Sequence, residues 1–190
     1  IRNIMGFLRP TCGDAYVKGL KTWAHSSEIV KYIGYVPGEI AFPDLATGTA
    51  FLKSQAEFLG VTDMSYAEYI IEKLQLDPRA PLKRMSKGMK QKTAIVAALM
   101  ANPEIIILDE PTTGLDPEAR KLLWNVVTNL RKSRNMTVFL TTHYMEEAAG
   151  ADQIIILDHG KIITSGTPFE LKEKYAKDKV KIYYRDGHKE

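Results

Sequence analysis

The spacing of apolar and polar positions changes character twice along the chain. Ile1, Ile4, Met5 and Leu8 recur at helical spacing before Pro10, which predicts the last two turns of a helix. Gly13 to Gly19 reads as a turn into a short strand over Ala15 to Lys18, and Tyr32 to Val36 reads as a second strand, stopped by Pro37-Gly38. From about Thr47 to Met100 the signals are helical: Phe51, Leu52, Phe58 and Leu59, then Ile70, Ile71, Leu74 and Leu76, with Pro78 and Pro81 as breaks.

Beyond Met100 strand and helix alternate: Ile105 to Leu108, Glu118 to Arg131, Thr137 to Thr141, Tyr144 to Ala149, and Gln153 to Leu157. Short β-branched runs between amphipathic helices predict an α/β core with a parallel sheet covered on both faces. The helical stretch then reads as a lobe inserted into that core. The tail from Pro168 to Glu190, rich in lysine, predicts a solvated helix and a terminal strand without catalytic meaning.

Composition narrows this picture only slightly. The 190 residues suit one domain, or one domain with a lobe, and 45% hydrophobic with 26% charged residues suits a globular chain. A net charge of +3 from 26 basic and 23 acidic residues is too mild and too mixed to argue for nucleic acid or a membrane surface. No apolar run approaches the roughly 20 residues that cross a bilayer, and Ala94 to Ala101 reads as a buried helix, so any membrane role calls for another chain. Cys12 is the one cysteine, so no internal disulfide forms, a reducing intracellular setting is the simpler expectation, and no chemistry is assigned to it. The chain opens on Ile1 without a signal-peptide pattern, which predicts a start inside a longer gene product.

Four segments carry candidate chemistry. Ile105 to Glu110 is a buried strand that delivers Asp109 and Glu110 at its C-terminal edge, where open α/β sheets bind ligands. Met85 to Gln91 places Ser86 where a helix N-cap belongs and Gly88 just inside, an arrangement that offers free N–H groups to an anion. Pro111 to Pro117 is a turn-forming segment leading into the next helix, and Thr142-His143 puts an imidazole at the end of the strand Thr137 to Thr141. Alone, each has an ordinary explanation: a strand ending in exposed acids, a capped helix, a loop, a structural histidine.

Taken together, in this order and spacing, the segments resemble the nucleotide-binding domain of ABC ATPases over essentially residues 1 to 170. Asp109 and Glu110 match the Walker B aspartate and catalytic glutamate, Ser86 and Gly88 the signature motif, Gly114-Leu115-Asp116 the D-loop, and His143 the switch histidine. The resemblance implies a RecA-like P-loop NTPase core (about 1–43 and 102–167), an inserted helical subdomain (about 44–101) and a tail (168–190). It implies ATP and Mg²⁺ as cofactors, Asp109 as the metal residue, and Glu110 and His143 as catalytic residues on the ATP of their own chain. Ser86, Lys87 and Gly88 would face the ATP of a second nucleotide-binding domain in a homo- or heterodimer, and Asp116 would couple the two sites. A transmembrane permease subunit would dock near the helical lobe and the segment Pro37 to Leu45 at the cytoplasmic face of the membrane, and no nucleic-acid partner is implied.

Departures from the family pattern qualify these expectations. No G-x-x-x-x-G-K-[ST] phosphate loop occurs in the 190 residues, which predicts that the N-terminal strands and that loop precede Ile1, and that the chain alone binds ATP weakly. Gly38 stands where the family has a glutamine that touches Mg²⁺, with Glu39 after it as a substitute metal contact or a plain surface acid. Lys87, Met89 and Met85 replace a glycine, a glutamine and a leucine of the signature, and Lys87 would add a cation near the second chain's phosphates. With Gly38, this variant resembles drug, antibiotic or lipid exporters of the ABC-2 type. The alternatives are an ABC ATPase outside transport and a non-catalytic binding or regulatory module.

Overall fold

A computed structural model describes residues 1–175 of the chain. In chain order, a hairpin of β1 (Tyr16–Val17) and β2 (Leu20–Lys21) leads to the single-turn helix α1 (Ser26–Ile29) and strand β3 (Ile33–Val36). The helical stretch follows as α2 (Gly48–Leu59), α3 (Ser65–Lys73), a 3₁₀ turn (Leu82–Arg84) and α4 (Lys87–Leu99). Then come β4 (Ile105–Asp109), α5 (Pro117–Arg134), β5 (Thr137–Thr141), α6 (Met145–Ala148), β6 (Ile154–Asp158), β7 (Lys161–Gly166) and α7 (Pro168–Tyr175). The chain divides into two compact units, Ile1–Thr141 and the residues from Thr142 onward.

The first unit is built on a parallel sheet of order β3-β4-β5, in which Val36 pairs with Leu108 and Asp109 with Thr141. Alternation sends successive side chains of a strand to opposite faces. Val36, Ile106 and Leu108 therefore join one cluster with Leu52, Ile95, Leu99, Leu123 and Val127 from the helices. Ile33 and Ile107 join the other, with Met5, Val17 and Ile29. Both faces of the sheet are covered, as the apolar runs predict, but short N-terminal turns rather than a long helix cover the second. Fully burying a side chain such as Ile106 contributes about 1.5–3 kcal/mol, so the central strand anchors the acids that follow it.

Backbone contacts set the approach of α4 to β3. A Cβ on Gly34 would stand 2.2 Å from the carbonyl oxygen of Ala98, so only glycine permits this packing. The helices start where short polar side chains accept free amides: Thr47 from Ala50 N, Ser86 from Met89 N and Asp116 from Ala119 N. Gly60 and Asn135 end α2 and α5 in the left-handed conformation. Pro78 and Pro81 lie between α3 and α4, as breaks.

Three expectations change. The N-terminal residues make hydrogen-bonded turns, with Met5 N to Ile1 O at 2.9 Å, but no regular helix; Gly6 at φ 69° leaves the right-handed path. The strand foreseen over Ala15 to Lys18 shrinks to Tyr16–Val17 because Lys18 (φ 52°) and Gly19 (φ 80°) turn the chain back. The run Gln153 to Leu157 does form a strand, but β6 pairs antiparallel with β7 instead of extending the parallel sheet. His159 (φ 46°) and Gly160 (φ 75°) form the tight turn that makes this hairpin. In the tail, α7 matches the predicted helix, while the predicted terminal strand lies outside the described residues. Among the described residues no helix is long and apolar enough to cross a membrane.

Candidate functional site

Parallel pairing aligns the C-terminal ends of the strands, so the segments after β3 and β4 emerge at one edge of the first unit, beside the last residue of β5. Asp109 is half-buried there, and the Thr141 hydroxyl donates to its Oδ1. Gly38 lies directly against it: a Cβ on Gly38 would stand 3.2 Å from the Asp109 carbonyl oxygen and 3.9 Å from its carboxylate carbon. The position where the family has glutamine thus faces Asp109, and glycine leaves that face bare. Burial, and then the charge of Asp109, push the Tyr35 hydroxyl above its ordinary pKa, while Arg2 opposes this.

Glu110 follows in a strained left-handed conformation, φ 46°. Its amide donates to the Thr141 carbonyl at 3.0 Å and to the Thr141 hydroxyl at 3.2 Å, and its Oε2 accepts from the Thr113 hydroxyl at 3.1 Å. Its carboxylate is exposed, and Thr113 orients it. Glu39 is also exposed, on the rim of a cleft shared with Ile40, Lys87, Lys90 and Gln91.

The segment after Glu110 closes as a turn, with Leu115 N to Thr112 O at 3.0 Å and Gly114 at φ 74°. Asp116 then caps α5, and the Ala119 amide hydrogen bond holds its carboxyl below the ordinary carboxylate value. The start of α4 meets this turn within the same chain. Ser86 Oγ accepts from Met89 N at 3.2 Å, Gly88 faces Leu115, and a Cβ on Gly114 would stand 2.7 Å from Lys87 Nζ. The Lys87 ammonium therefore lies over Gly114.

His143 belongs to the second unit, two residues beyond the end of β5. Its ring tilts against Tyr144, with centroids 4.1 Å apart, and Thr142 is fixed by donating to Glu147 and accepting from Tyr144 N. The first unit by itself gathers Gly38, Asp109 and Glu110 at the sheet edge, and Ser86, Lys87 and Gly88 against the turn before Asp116. Sequence reasoning missed Thr141 and Thr113, whose hydroxyls hold the two acids. Counting pairs along two adjacent parallel strands would have placed Thr141 opposite Asp109.

These donors fit Mg²⁺, which prefers hard oxygen ligands and keeps several waters while bound through one or two carboxylates and substrate phosphates. Among the described residues no cluster of three or more His, Cys, Asp or Glu forms an all-protein metal cage.

Residues 24–147 match the family model described as "AAA domain, putative AbiEii toxin, Type IV TA system". Human ATP-binding cassette sub-family A member 9 is 33% identical over 184 residues, covering 94% of this chain and 11% of that protein. Nod factor export ATP-binding protein I of a Rhizobium species is 33% identical over 180 residues, covering 92% of this chain and 59% of that protein. A solved structure titled as the ATP binding subunit of an ABC transporter superposes with a TM-score of 0.80 at 25% identity, covering 92% of this chain and 75% of that one. The chain belongs to the ATP-binding cassette family of AAA domains.

A second cassette structure, a dimer in a post-hydrolysis state bound to ADP and Pi, superposes with a TM-score of 0.77 at 25% identity over 88% of this chain and 78% of that one. The chain thus has the P-loop NTPase fold read from its motifs. It spans about a tenth of the length of the sub-family A proteins it matches.

Proposed function

We propose that this cassette is the ATP-hydrolysing part of a subunit that powers export across a membrane, acting on Mg-ATP as one of a pair. The observation that carries the reading is the sheet edge where Asp109 and Glu110 follow a buried central strand and are each held by a threonine hydroxyl. Bound Mg²⁺ supplies charge neutralisation on the phosphates, with Asp109 as the residue that would hold it. Glu110, exposed and oriented by Thr113, accepts the proton of the attacking water. Ser86 and Gly88, at the positive end of α4, bind the terminal phosphate of ATP held by a second cassette. Asp116 couples the two sites, and His143 stabilises the departing phosphate.

Residues 1–43 and 102–167 form the core, 44–101 the helical subdomain and 168–190 the tail in this reading. A transmembrane permease selects the substrate and holds the cassette at the cytoplasmic face. The name of the Rhizobium relative supports an export direction, and the departures at Gly38 and Lys87 support the ABC-2 type. These 190 residues alone bind ATP weakly, since no G-x-x-x-x-G-K-[ST] loop occurs among them.

The test is Mg-ATP hydrolysis by a version of the cassette that carries a phosphate loop, beside its Glu110→Gln variant. Loss of about 10²–10⁴-fold in rate on losing the proton acceptor is expected. Equal rates, or no hydrolysis by either, would move the reading to a non-catalytic module.

A further inference from the structure

Two of the departures from the family pattern, Gly38 and Lys87, meet at one cleft. The cleft has a volume of about 250 Å³ and is lined by Gly38, Glu39, Ile40, Lys87, Lys90 and Gln91 of a single chain. Lys87, Lys90 and Gln91 are spaced i, i+3 and i+4, so they share one side of the first two turns of α4. The loop after β3 supplies the other wall.

Three features make this an anion site. The Lys90 side chain and the first turns of a 13-residue helix, at its positive end, line the cleft, and among the described residues no ion pair joins Glu39 to Lys90. Gln91 is 4% exposed, and its Nε2 has no hydrogen-bond partner. A buried amide donor left unpaired is destabilising, so a ligand or a water that accepts from it restores the loss. Finally, at about 250 Å³ the cleft lies below the roughly 300–1,000 Å³ of pockets for drug-sized ligands and has room for an ion.

Glu39 decides which ion. A carboxylate repels a fully ionised anion but accepts a hydrogen bond from one that keeps a proton. Inorganic phosphate keeps at least one proton near neutral pH, and sulfate keeps none. We propose that the cleft is a binding site for protonated inorganic phosphate, in which Lys90 and Gln91 donate to its oxygens and Glu39 accepts from its hydroxyl. It differs from the Ser86–Gly88 end of α4, where Ser86 caps the helix and Gly88 faces Leu115, and it needs no second chain. Its wall Gly38 touches Asp109, so under the ATPase reading the ion is the phosphate released by hydrolysis, held on its way out.

The experiment titrates the 190-residue chain with inorganic phosphate near neutral pH, followed by phosphorus NMR line broadening and calorimetry. Sulfate at matched ionic strength serves as the comparison ion. Saturable phosphate binding is expected, with sulfate at least about tenfold weaker, the difference that one charge-assisted hydrogen bond makes. Lys90→Met and Gln91→Leu should each weaken phosphate by about tenfold on the same grounds, and Glu39→Gln should bring the two ions together. Circular dichroism checks each variant's fold; where Gln91→Leu unfolds, Lys90→Met carries the test. Absence of saturable phosphate binding, or binding unchanged in Lys90→Met, overturns the proposal. Equal phosphate and sulfate binding in the unmodified chain means an adventitious ion only and overturns it as well. Because no nucleotide is added, these outcomes are independent of whether the cassette hydrolyses ATP.

Discussion

Thr141 holds both acids of the sheet edge: its hydroxyl donates to Asp109 and accepts from the Glu110 amide, while its carbonyl accepts from that same amide. Groups that orient a metal-binding carboxylate from behind are worth about 10–100-fold in metal affinity. Thr141→Val keeps the shape and removes the hydroxyl. In the cassette with a phosphate loop, it should raise the Mg²⁺ concentration for half-maximal hydrolysis by about tenfold or more, with Thr141→Ser close to the parent. The same Mg²⁺ dependence in both variants would show that the hydroxyl does not orient Asp109.

Glu110 occupies a conformation that costs an L-residue roughly 1–2 kcal/mol. Glycine adopts it freely but loses about 0.5–1 kcal/mol of chain entropy. Glu110→Gly should therefore leave thermal stability unchanged or raise it by up to about 1 kcal/mol, while abolishing hydrolysis. Marked destabilisation of the glycine variant would mean that the Thr113 hydrogen bond, not the backbone, governs this position.

How far the sequence reveals the fold is clearest in one repeated word. Ile-Ile-Ile-Leu-Asp occurs twice, as β4 and as β6. In β4 it is the buried centre of a parallel sheet; in β6 Ile155 and Leu157 are exposed in an antiparallel hairpin. Five residues cannot distinguish these fates, because burial is set by what packs on the strand. The difference is legible just beyond: Glu110-Pro111 follows the first copy, His159-Gly160 the second, and only the latter folds the strand back into a hairpin. The acids, the cap at Ser86 and the central strands were readable because each rests on local chemistry, whereas the cap that Asp116 makes was not read. The holding hydroxyls of Thr141 and Thr113, and the cleft beside Gln91, were not, since they depend on register and on helix-to-loop packing.

At Gly34 the sheet and α4 meet backbone to backbone. Its hydrogen faces the Ala98 carbonyl, so a methyl group there must push α4 off β3. Overpacking of this kind costs about 1–3 kcal/mol, and the contact is with backbone that cannot rotate away, so Gly34→Ala should fall at the upper end. Gly150, with nothing within 4 Å of its missing Cβ, is the comparison: Gly150→Ala should change stability by no more than about 0.5 kcal/mol. Denaturant unfolding of the two variants settles it, and equal midpoints would mean that α4 shifts without cost.

The cap at the start of α5 should make stability depend on acid. Asp116 is held below its ordinary value of 3.8 by the Ala119 amide, so the folded chain binds its proton less readily than the unfolded chain does. The stabilising contribution is present above the unfolded value and is lost as pH falls through the lower folded value. Asp63 and Glu170, held by the Ser65 and Thr167 amides, act in the same direction. Asparagine caps a helix without titrating, whereas alanine does not cap. Thermal melting of the parent, Asp116→Asn and Asp116→Ala from neutral pH downward should show parent and Asn variant together well above 3.8, with alanine below both. As pH drops through the depressed value, the parent should fall away from the Asn variant toward the alanine one. A constant gap between parent and Asn variant across the range would mean that the Ala119 contact does not select the charged carboxylate.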